Sequence, residues 1–98
     1  MQFPVRMVLR TELVETERET VLHLVGRITS PEVERLQEQV AGAGPALVLD
    51  LGQVDLVDLD ATRFLAAVEL LGIELRHVPR YVRAWIRLER PALGRRDE

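Results

Sequence analysis

Residues 46–65 read ALVLDLGQVDLVDLDATRFL, and this stretch decides the fold because its pattern changes twice. Residues 45–52 form an apolar run bounded by proline and glycine, which predicts a buried strand in a sheet covered by helices. Residues 61–71 are rich in helix formers and are followed by a glycine that suits a helix end. Between the two lie three aspartates within six residues, Asp55, Asp58 and Asp60. The stretch therefore predicts an α/β domain and raises the question of what the acidic turn does.

Length and composition limit the answer. A chain of 98 residues with 47% hydrophobic and 30% charged residues is typical of one globular domain with a modest core. We expect a single domain over residues 1–90, followed by a polar tail over residues 91–98. Cysteine is absent, which excludes disulfides, thiolate metal sites and cysteine nucleophiles. No apolar run approaches the length that crosses a bilayer, and arginines interrupt the N-terminal segment, so we expect a cytoplasmic protein.

Charge is distributed unevenly. The net charge is −3, and all thirteen basic residues are arginines. Residues 1–60 contain eleven acidic residues and five arginines, whereas residues 61–98 contain five acidic residues and eight arginines. An acidic chain with few aromatic residues disfavours nucleic acid as a partner.

The N-terminal third of the chain predicts a hairpin and a helix. Apolar and charged residues alternate over residues 5–14, and a polar run at 15–19 separates them from the apolar residues 20–26, which is typical of two strands joined by a loop. A helix should begin at Thr29 or Ser30, because Pro31 and Glu32 suit its first turn, and should end at the glycines 42 and 44. Its buried stripe contains Val33, Leu36 and Val40.

The C-terminal third predicts a strand over residues 73–78 and a helix from Pro79 to about Leu88. Val82, Trp85 and Ile86 form the predicted apolar face of that helix, and Trp85 is expected to close the core. The complete order is strand, strand, helix, strand, helix, strand, helix. It predicts an α/β fold whose mixed sheet of about four strands starts with a β-hairpin and is accompanied by about three helices.

Three segments together resemble the STAS domain, the fold of bacterial anti-sigma-factor antagonists that also occurs in sulphate transporters. They are VLHLVGRIT at 21–29, the opening stretch at 46–65, and GIELRHVPRYVRAWI at 72–86. The resemblance covers roughly residues 21–88. It implies a STAS-like fold and a regulatory role through protein binding.

The acidic turn departs from the family pattern. In antagonists of this family the turn usually reads D-S-x-G, and a partner kinase phosphorylates its serine. Here Asp58 matches the aspartate, Leu59 stands at the serine position, Asp60 is the variable residue and Ala61 replaces the glycine. The resemblance therefore implies a partner-binding turn that has no phosphorylatable residue at the family position. Thr62 is a nearby hydroxyl that could serve as a displaced phosphate acceptor, but threonine is also common at helix starts.

Several interpretations of the acidic turn are compatible with the sequence. Asp58 or Asp60 could cap the second helix, and the same turn could bind a partner through the residues Asp58, Leu59, Asp60, Thr62 and Arg63. Leu59 could be an exposed apolar residue or could turn inward. Catalysis and metal binding lack support, because no histidine or other ligand stands at a diagnostic spacing, and we expect no catalytic residue, metal or cofactor.

Two further sets of residues are candidates. His23 and His77 are far apart in sequence, and structural roles are more common for such histidines than metal binding. Arginines recur along one side of the last helix and form a possible basic contact face: Arg80, Arg83, Arg87 and Arg90. A solvated helix face is the ordinary explanation of such a pattern, and the alternatives are an acidic protein partner or weak attraction to nucleic acid or a membrane surface.

We therefore expect a non-enzymatic regulatory or scaffold module that binds a protein, either an anti-sigma factor or related kinase, a signalling scaffold, or a transporter ATPase. The last partner corresponds to the alternative of a STAS subunit in a bacterial ABC lipid transporter. A homodimer is possible, because the edge of a small sheet can pair with itself. A second alternative is a small nucleotide-binding or aspartate-dependent enzyme. That alternative predicts a concave pocket bordered by Asp50, Asp55 and Asp58 with raised carboxyl pKa values.

Overall fold

The computed structural model describes residues 9–44 and 46–94, and for residues 91–94 it describes the backbone alone. The elements in chain order are β1 (Leu9–Glu15), β2 (Thr20–Ile28), α1 (Ser30–Ala43), β3 (Leu47–Val57), α2 (Leu59–Leu70), β4 (Glu74–Arg76) and α3 (Arg80–Gly94). The four strands form one sheet in the order β1-β2-β3-β4. β1 and β2 are antiparallel, whereas the β2–β3 and β3–β4 pairs are parallel. The predicted fold class is confirmed.

The core lies between the helices and one face of the sheet. Leu22 and Leu24 of β2 and Leu49 and Leu51 of β3 are buried on this face, because alternate residues of a strand point to the same side. The same cluster contains residues of all three helices: Leu36 of α1, Ala61, Phe64, Leu65, Ala66 and Val68 of α2, and Val82 and Ile86 of α3. The predicted stripe of α1 is correct, since Val33 and Val40 pack against this cluster beside the buried Leu36.

Several element boundaries differ from the predictions, and the differences are largest for β3, α3 and β4. β3 continues past Gly52 to Val57, because its second half pairs with β2 as far as Ile28, with two shifts in register. α3 continues past Leu88 to Gly94. β4 is only three residues long. Residues 5–8, where β1 was predicted to begin, and residues 95–98 of the predicted tail lie outside the described residues, and the single domain over residues 1–90 stays a prediction.

One core assignment was wrong. Trp85 is 43% exposed and is absent from the core cluster, whereas Val82 and Ile86 are fully buried. The reason is the phase of α3: residues 82 and 86 are one helical turn apart and face α2, while Trp85 lies on a neighbouring stripe. Its ring packs edge-on against Tyr81, with the ring centroids 5.8 Å apart.

Candidate functional site

The candidate site lies where the parallel strands β2 and β3 end side by side. Ile28 and Val57 are partners in the last position of this pairing, so the N-termini of α1 and α2 emerge at the same edge of the sheet. The backbone N–H of Asp58 donates to the carbonyl oxygen of Ile28 at 3.2 Å, which fixes the two turns against each other. The carboxyl ends of parallel strands are a common location of functional sites.

Asp58 links the two helix starts. Its Oδ1 accepts a hydrogen bond from the backbone N–H of Ala61 at 2.9 Å and thereby caps α2. Its Oδ2 accepts from the backbone N–H of Ser30 at 2.8 Å and from the Ser30 hydroxyl at 3.1 Å. Of the two aspartates that could cap α2, Asp58 is therefore the cap, and it also satisfies a free N–H at the start of α1.

These hydrogen bonds determine the ionisation of Asp58. Partial burial raises its pKa, but the hydrogen bonds from the backbone of Ala61 and from the backbone and hydroxyl of Ser30 outweigh this effect. The pKa of Asp58 is therefore lowered, and the turn carries a stable negative charge.

Ser30 is a site residue that the sequence did not reveal. Its single hydroxyl proton is shared between two carboxylates, because Oγ lies 3.1 Å from Oδ2 of Asp58 and 2.7 Å from Oδ2 of Asp60. The sequence alone predicts Ser30 only as a possible cap of α1, a position that Thr29 occupies. The signal that could have found it is topological, because two parallel neighbouring strands bring the turns after them together.

Leu59 is exposed and borders an apolar groove. It is 49% accessible at the first position of α2, so its side chain does not turn into the core. The groove has a volume of about 390 Å³ and is lined by Val57, Asp58, Leu59, Thr62, Trp85, Leu88 and Glu89. Leu88 is 75% exposed. Leu59, Trp85 and Leu88 thus form an exposed apolar patch across α2 and α3, which we call the α2/α3 patch.

The other two residues predicted to bind a partner differ in their placement. Thr62 is fully buried, and its hydroxyl donates to the backbone oxygen of Asp58 at 2.9 Å. Its side chain stabilises the turn through this hydrogen bond and is not part of the exposed surface. Arg63 is exposed, and its Nε donates to Oε1 of Glu89 on α3 at 3.1 Å.

The arginines of α3 do not form one free basic face. Arg83 donates to Oε1 of Glu69 on α2 at 2.8 Å, and Arg90 lies 3.6 Å from the same oxygen. The hydrogen bond from Arg83, together with the nearby positive charges, lowers the pKa of Glu69 despite its partial burial. Arg80 and Arg87 line a shallow depression with Arg83. The predicted face is thus partly used within the molecule.

A second cavity, of about 530 Å³, lies on the sheet face opposite the core. Here His23 and His77, which are far apart in sequence, both lie beside Asp50. Oδ2 of Asp50 is 3.6 Å from Nδ1 of His23 and 3.1 Å from Nδ1 of His77. The backbone N–H of Gly52 donates to Oδ1 at 2.8 Å. Burial raises the pKa of Asp50, but this hydrogen bond and His77 lower it by more.

The pocket expected of an aspartate-dependent enzyme does not form. The cavity beside Asp50 is lined by neither Asp55 nor Asp58, and the groove beside Asp58 is lined by neither Asp50 nor Asp55. The pKa values of Asp50 and Asp58 are lowered, not raised. Asp55 lies in β3, where its backbone oxygen accepts a hydrogen bond from the Tyr81 hydroxyl at 2.9 Å. Within the described ranges, no group of three or more histidine, aspartate or glutamate side chains is arranged to hold a metal ion.

The fold and this surface define a small α/β domain that carries an exposed apolar patch beside two helix starts. A family model described as "Mlab, STAS domain" matches residues 11–90. Because the match covers most of the chain, this chain belongs to the STAS domain family. STAS domains typically bind proteins and are generally non-enzymatic, so at the family level the chain is a regulatory protein-interaction module.

Other comparisons are less informative. One solved structure with similarity to the chain is that of an uncharacterized protein with a SpoIIAA-like fold from Shewanella loihica. The two chains share 18% identity with a TM-score of 0.45, and the match covers 72% of this chain and 63% of that one. The chain thus spans less than two thirds of that relative. The comparison with curated proteins found no match. Among the described helices, none is long and apolar enough to cross a membrane.

Proposed function

We propose that this chain is a non-enzymatic, cytoplasmic interaction module that binds a partner protein through the α2/α3 patch and the acidic turn beside it. The contact residues are Asp58, Leu59, Asp60 and Arg63 of the predicted set, together with Trp85 and Leu88. Thr62 contributes by supporting the turn. Binding is constitutive with respect to the family switch, because Leu59 cannot accept a phosphate.

The observation that carries the proposal is the exposure of Leu59. A leucine that is about half accessible beside an exposed tryptophan and an exposed leucine keeps apolar area in water, which is unfavourable unless another surface covers it. Exposed aromatic residues are also common among the residues that contribute most to protein binding. The patch lies at the turn that the STAS resemblance implies is the partner-binding surface.

The margin of the patch suggests the chemistry of the partner. Asp58 and Glu89 line the groove, and Arg63 pairs with Glu89. The margin is therefore acidic on balance. We expect the partner to present an apolar centre with basic residues around it, because complementary charges at the rim guide and orient association.

The partner belongs to one of three classes: an anti-sigma factor or related kinase, a component of a signalling scaffold, or a transporter ATPase. The last would make the chain a STAS subunit of a bacterial ABC lipid transporter. All three use the same surface in this proposal, so the identity of the captured protein distinguishes them. The alternative of a small aspartate-dependent enzyme has no comparable support, since its three carboxylates are not gathered around one pocket.

The test is affinity capture from the native cell with four forms of the chain: wild type, Leu59→Asp, Trp85→Ala and Leu71→Asp. Leu71 is a matched control, because it is an exposed leucine at the opposite end of α2. We expect wild type and Leu71→Asp to capture one specific protein. Leu59→Asp and Trp85→Ala should capture at least tenfold less of that protein. Circular dichroism of each variant establishes that it is folded.

Equal capture by wild type, Leu59→Asp and Trp85→Ala would show that the partner binds elsewhere and would overturn the proposed surface. Loss of capture by Leu71→Asp alone would have the same meaning. The captured protein is then purified and its affinity for the four forms measured, so that a direct contact is separated from an indirect one.

A further inference from the structure

β1 forms one edge of the four-stranded sheet. β1 is the first strand in the sheet order, and each of its seven residues pairs with β2 on the inner side. No other strand within residues 9–44 and 46–94 pairs with its outer side. The backbone groups that point outward from such an edge strand remain available to another strand. The opposite edge, β4, offers only three residues.

β1 lacks most features that protect an edge strand from pairing. Its residues, Leu9–Glu15, include no proline, and its pairing with β2 contains no register shift that would twist the edge away. Leu13 is 52% exposed and Val14 is also exposed. Charged residues are the remaining protection, and whether Arg10 and Glu12 repel or attract a second copy depends on the register.

The two faces of β1 limit the possible registers. Leu13 is paired with the core residue Leu22, whereas Glu12 is paired with His23 on the open face, so odd-numbered residues of β1 point toward the helices. Two antiparallel copies of β1 are related by a twofold axis perpendicular to the sheet. Opposed residues must share a face. The axis therefore lies midway between the two copies of one residue, and that residue is opposed to its own copy.

Five centres leave at least one opposed pair within the strand, and they differ sharply. An axis at Val14 opposes only Leu13 with Glu15 and forms no ion pair. An axis at Arg10 or at Glu12 brings like charges directly together, which is destabilising. An axis at Leu13 places Glu12 against Val14 and Thr11 against Glu15, and forms no ion pair. An axis at Thr11 places each Arg10 opposite Glu12 of the other copy and each Leu9 opposite Leu13. This register alone joins opposite charges on one face and apolar residues on the other.

We propose that two copies of this chain associate through β1 in the register centred on Thr11. The two β1 strands then pair antiparallel, and the two sheets form one continuous sheet. The helices of both copies lie on the same side of the joined sheet. The α2/α3 patch is not needed for this contact, so failure of the dimer does not affect the proposed function. The paired segment is short, and we therefore expect a weak, concentration-dependent dimer.

The absence of cysteine from the chain allows a direct test of the register. In an antiparallel pair, directly opposed Cα atoms are roughly 4.5–5.5 Å apart, a separation that a disulfide can span. We expect Thr11→Cys to form a disulfide-linked dimer under mild oxidation, at least tenfold more than Leu13→Cys or a Glu17→Cys control in the hairpin turn. Leu13 is the more sensitive comparison, because it is well exposed and yet lies opposite Leu9 in this register.

Charge reversal tests the same register without a crosslink. In sedimentation velocity across a wide concentration range, Arg10→Glu and Glu12→Arg should each be monomeric, since each places like charges opposite one another. Mixing the two variants should restore a dimer, because both opposed pairs are then complementary. Wild type that remains monomeric at every concentration overturns the proposal. The register is overturned if Leu13→Cys crosslinks preferentially. It is also overturned if the mixture of Arg10→Glu and Glu12→Arg fails to associate while the wild type dimerises.

Discussion

At the scale of single residues, Asp58 has the largest structural role in the acidic turn. It accepts hydrogen bonds from the starts of two helices, whereas Asp60 accepts one from the Ser30 hydroxyl. We expect Asp58→Ala to lower the free energy of unfolding by about 1–2 kcal/mol, which is typical of a lost N-cap. Asp60→Ala should change it by less than about 0.5 kcal/mol, as exposed substitutions usually do.

Urea denaturation of the two variants and the wild type measures this difference. Both substitutions remove one negative charge from the same turn, so Asp60→Ala controls for charge alone. An equal or larger effect of Asp60→Ala would show that Asp58 is not the principal cap. A loss of partner binding by Asp60→Ala without a loss of stability would separate the contact role of the turn from its structural role.

Residue types predicted the acidic turn but not its neighbours in space. A cap at Asp58 or Asp60 and the missing serine could be inferred from residues 58–61, because capping depends on local sequence. The sequence did not decide between the two aspartates, nor between an exposed and an inward-turned Leu59. The contact of Ser30 with Asp58 joins residues 28 positions apart, and the meeting of His23 and His77 beside Asp50 requires the register of three strands. No local pattern contains that information.

At the scale of secondary structure elements, α3 has two apolar stripes with different roles. Val82 and Ile86 face the core, whereas Tyr81, Trp85 and Leu88 lie at helical spacing on an exposed side. A single apolar face was expected from the sequence, and the position of Trp85 was wrong for that reason. Hydrophobic periodicity predicts that a helix is amphipathic, but it does not distinguish an apolar side chain in the core from one on an exposed side.

The two stripes can be separated by experiment. We expect Ile86→Ala to lower the free energy of unfolding by about 2–5 kcal/mol, because it removes fully buried atoms from the core. Leu88→Ala should change stability by less than about 0.5 kcal/mol but weaken partner binding. Chemical denaturation measures the first effect and titration with the captured partner the second. Equal destabilisation by both substitutions would contradict this division of α3.

At the scale of the whole molecule, ion pairs and hydrogen-bonded carboxylates connect elements that are distant in sequence. Arg76 of β4 binds both carboxylate oxygens of Glu19 in the hairpin turn at 3.1 Å, and Arg83 joins α3 to Glu69 of α2. The hydrogen bond from Arg76 lowers the pKa of Glu19. The pKa values of Asp50, Asp58 and Glu69 are also lowered, so four carboxyl groups in different parts of the fold share this shift.

These shifts determine how stability depends on pH. A carboxyl group whose pKa is lower in the folded than in the unfolded chain binds fewer protons when folded, so its contribution is fully present above the unfolded pKa of about 4. The contribution disappears as pH falls through the lowered folded pKa. We therefore expect the free energy of unfolding to be highest near neutral pH and to decrease steadily below about pH 4–5.

Urea denaturation at a series of pH values from neutral to strongly acidic measures this dependence. Asp58→Asn and Glu69→Gln should each be less stable than the wild type at neutral pH and should lose less stability on acidification, since each lacks one of the titrating groups. The two effects should be additive in the double variant, because the residues are in separate networks. Two outcomes would show that these carboxylates do not couple folding to pH. In the first, the stability of the wild type stays constant or rises on acidification. In the second, the stability of the variants falls with pH as steeply as that of the wild type.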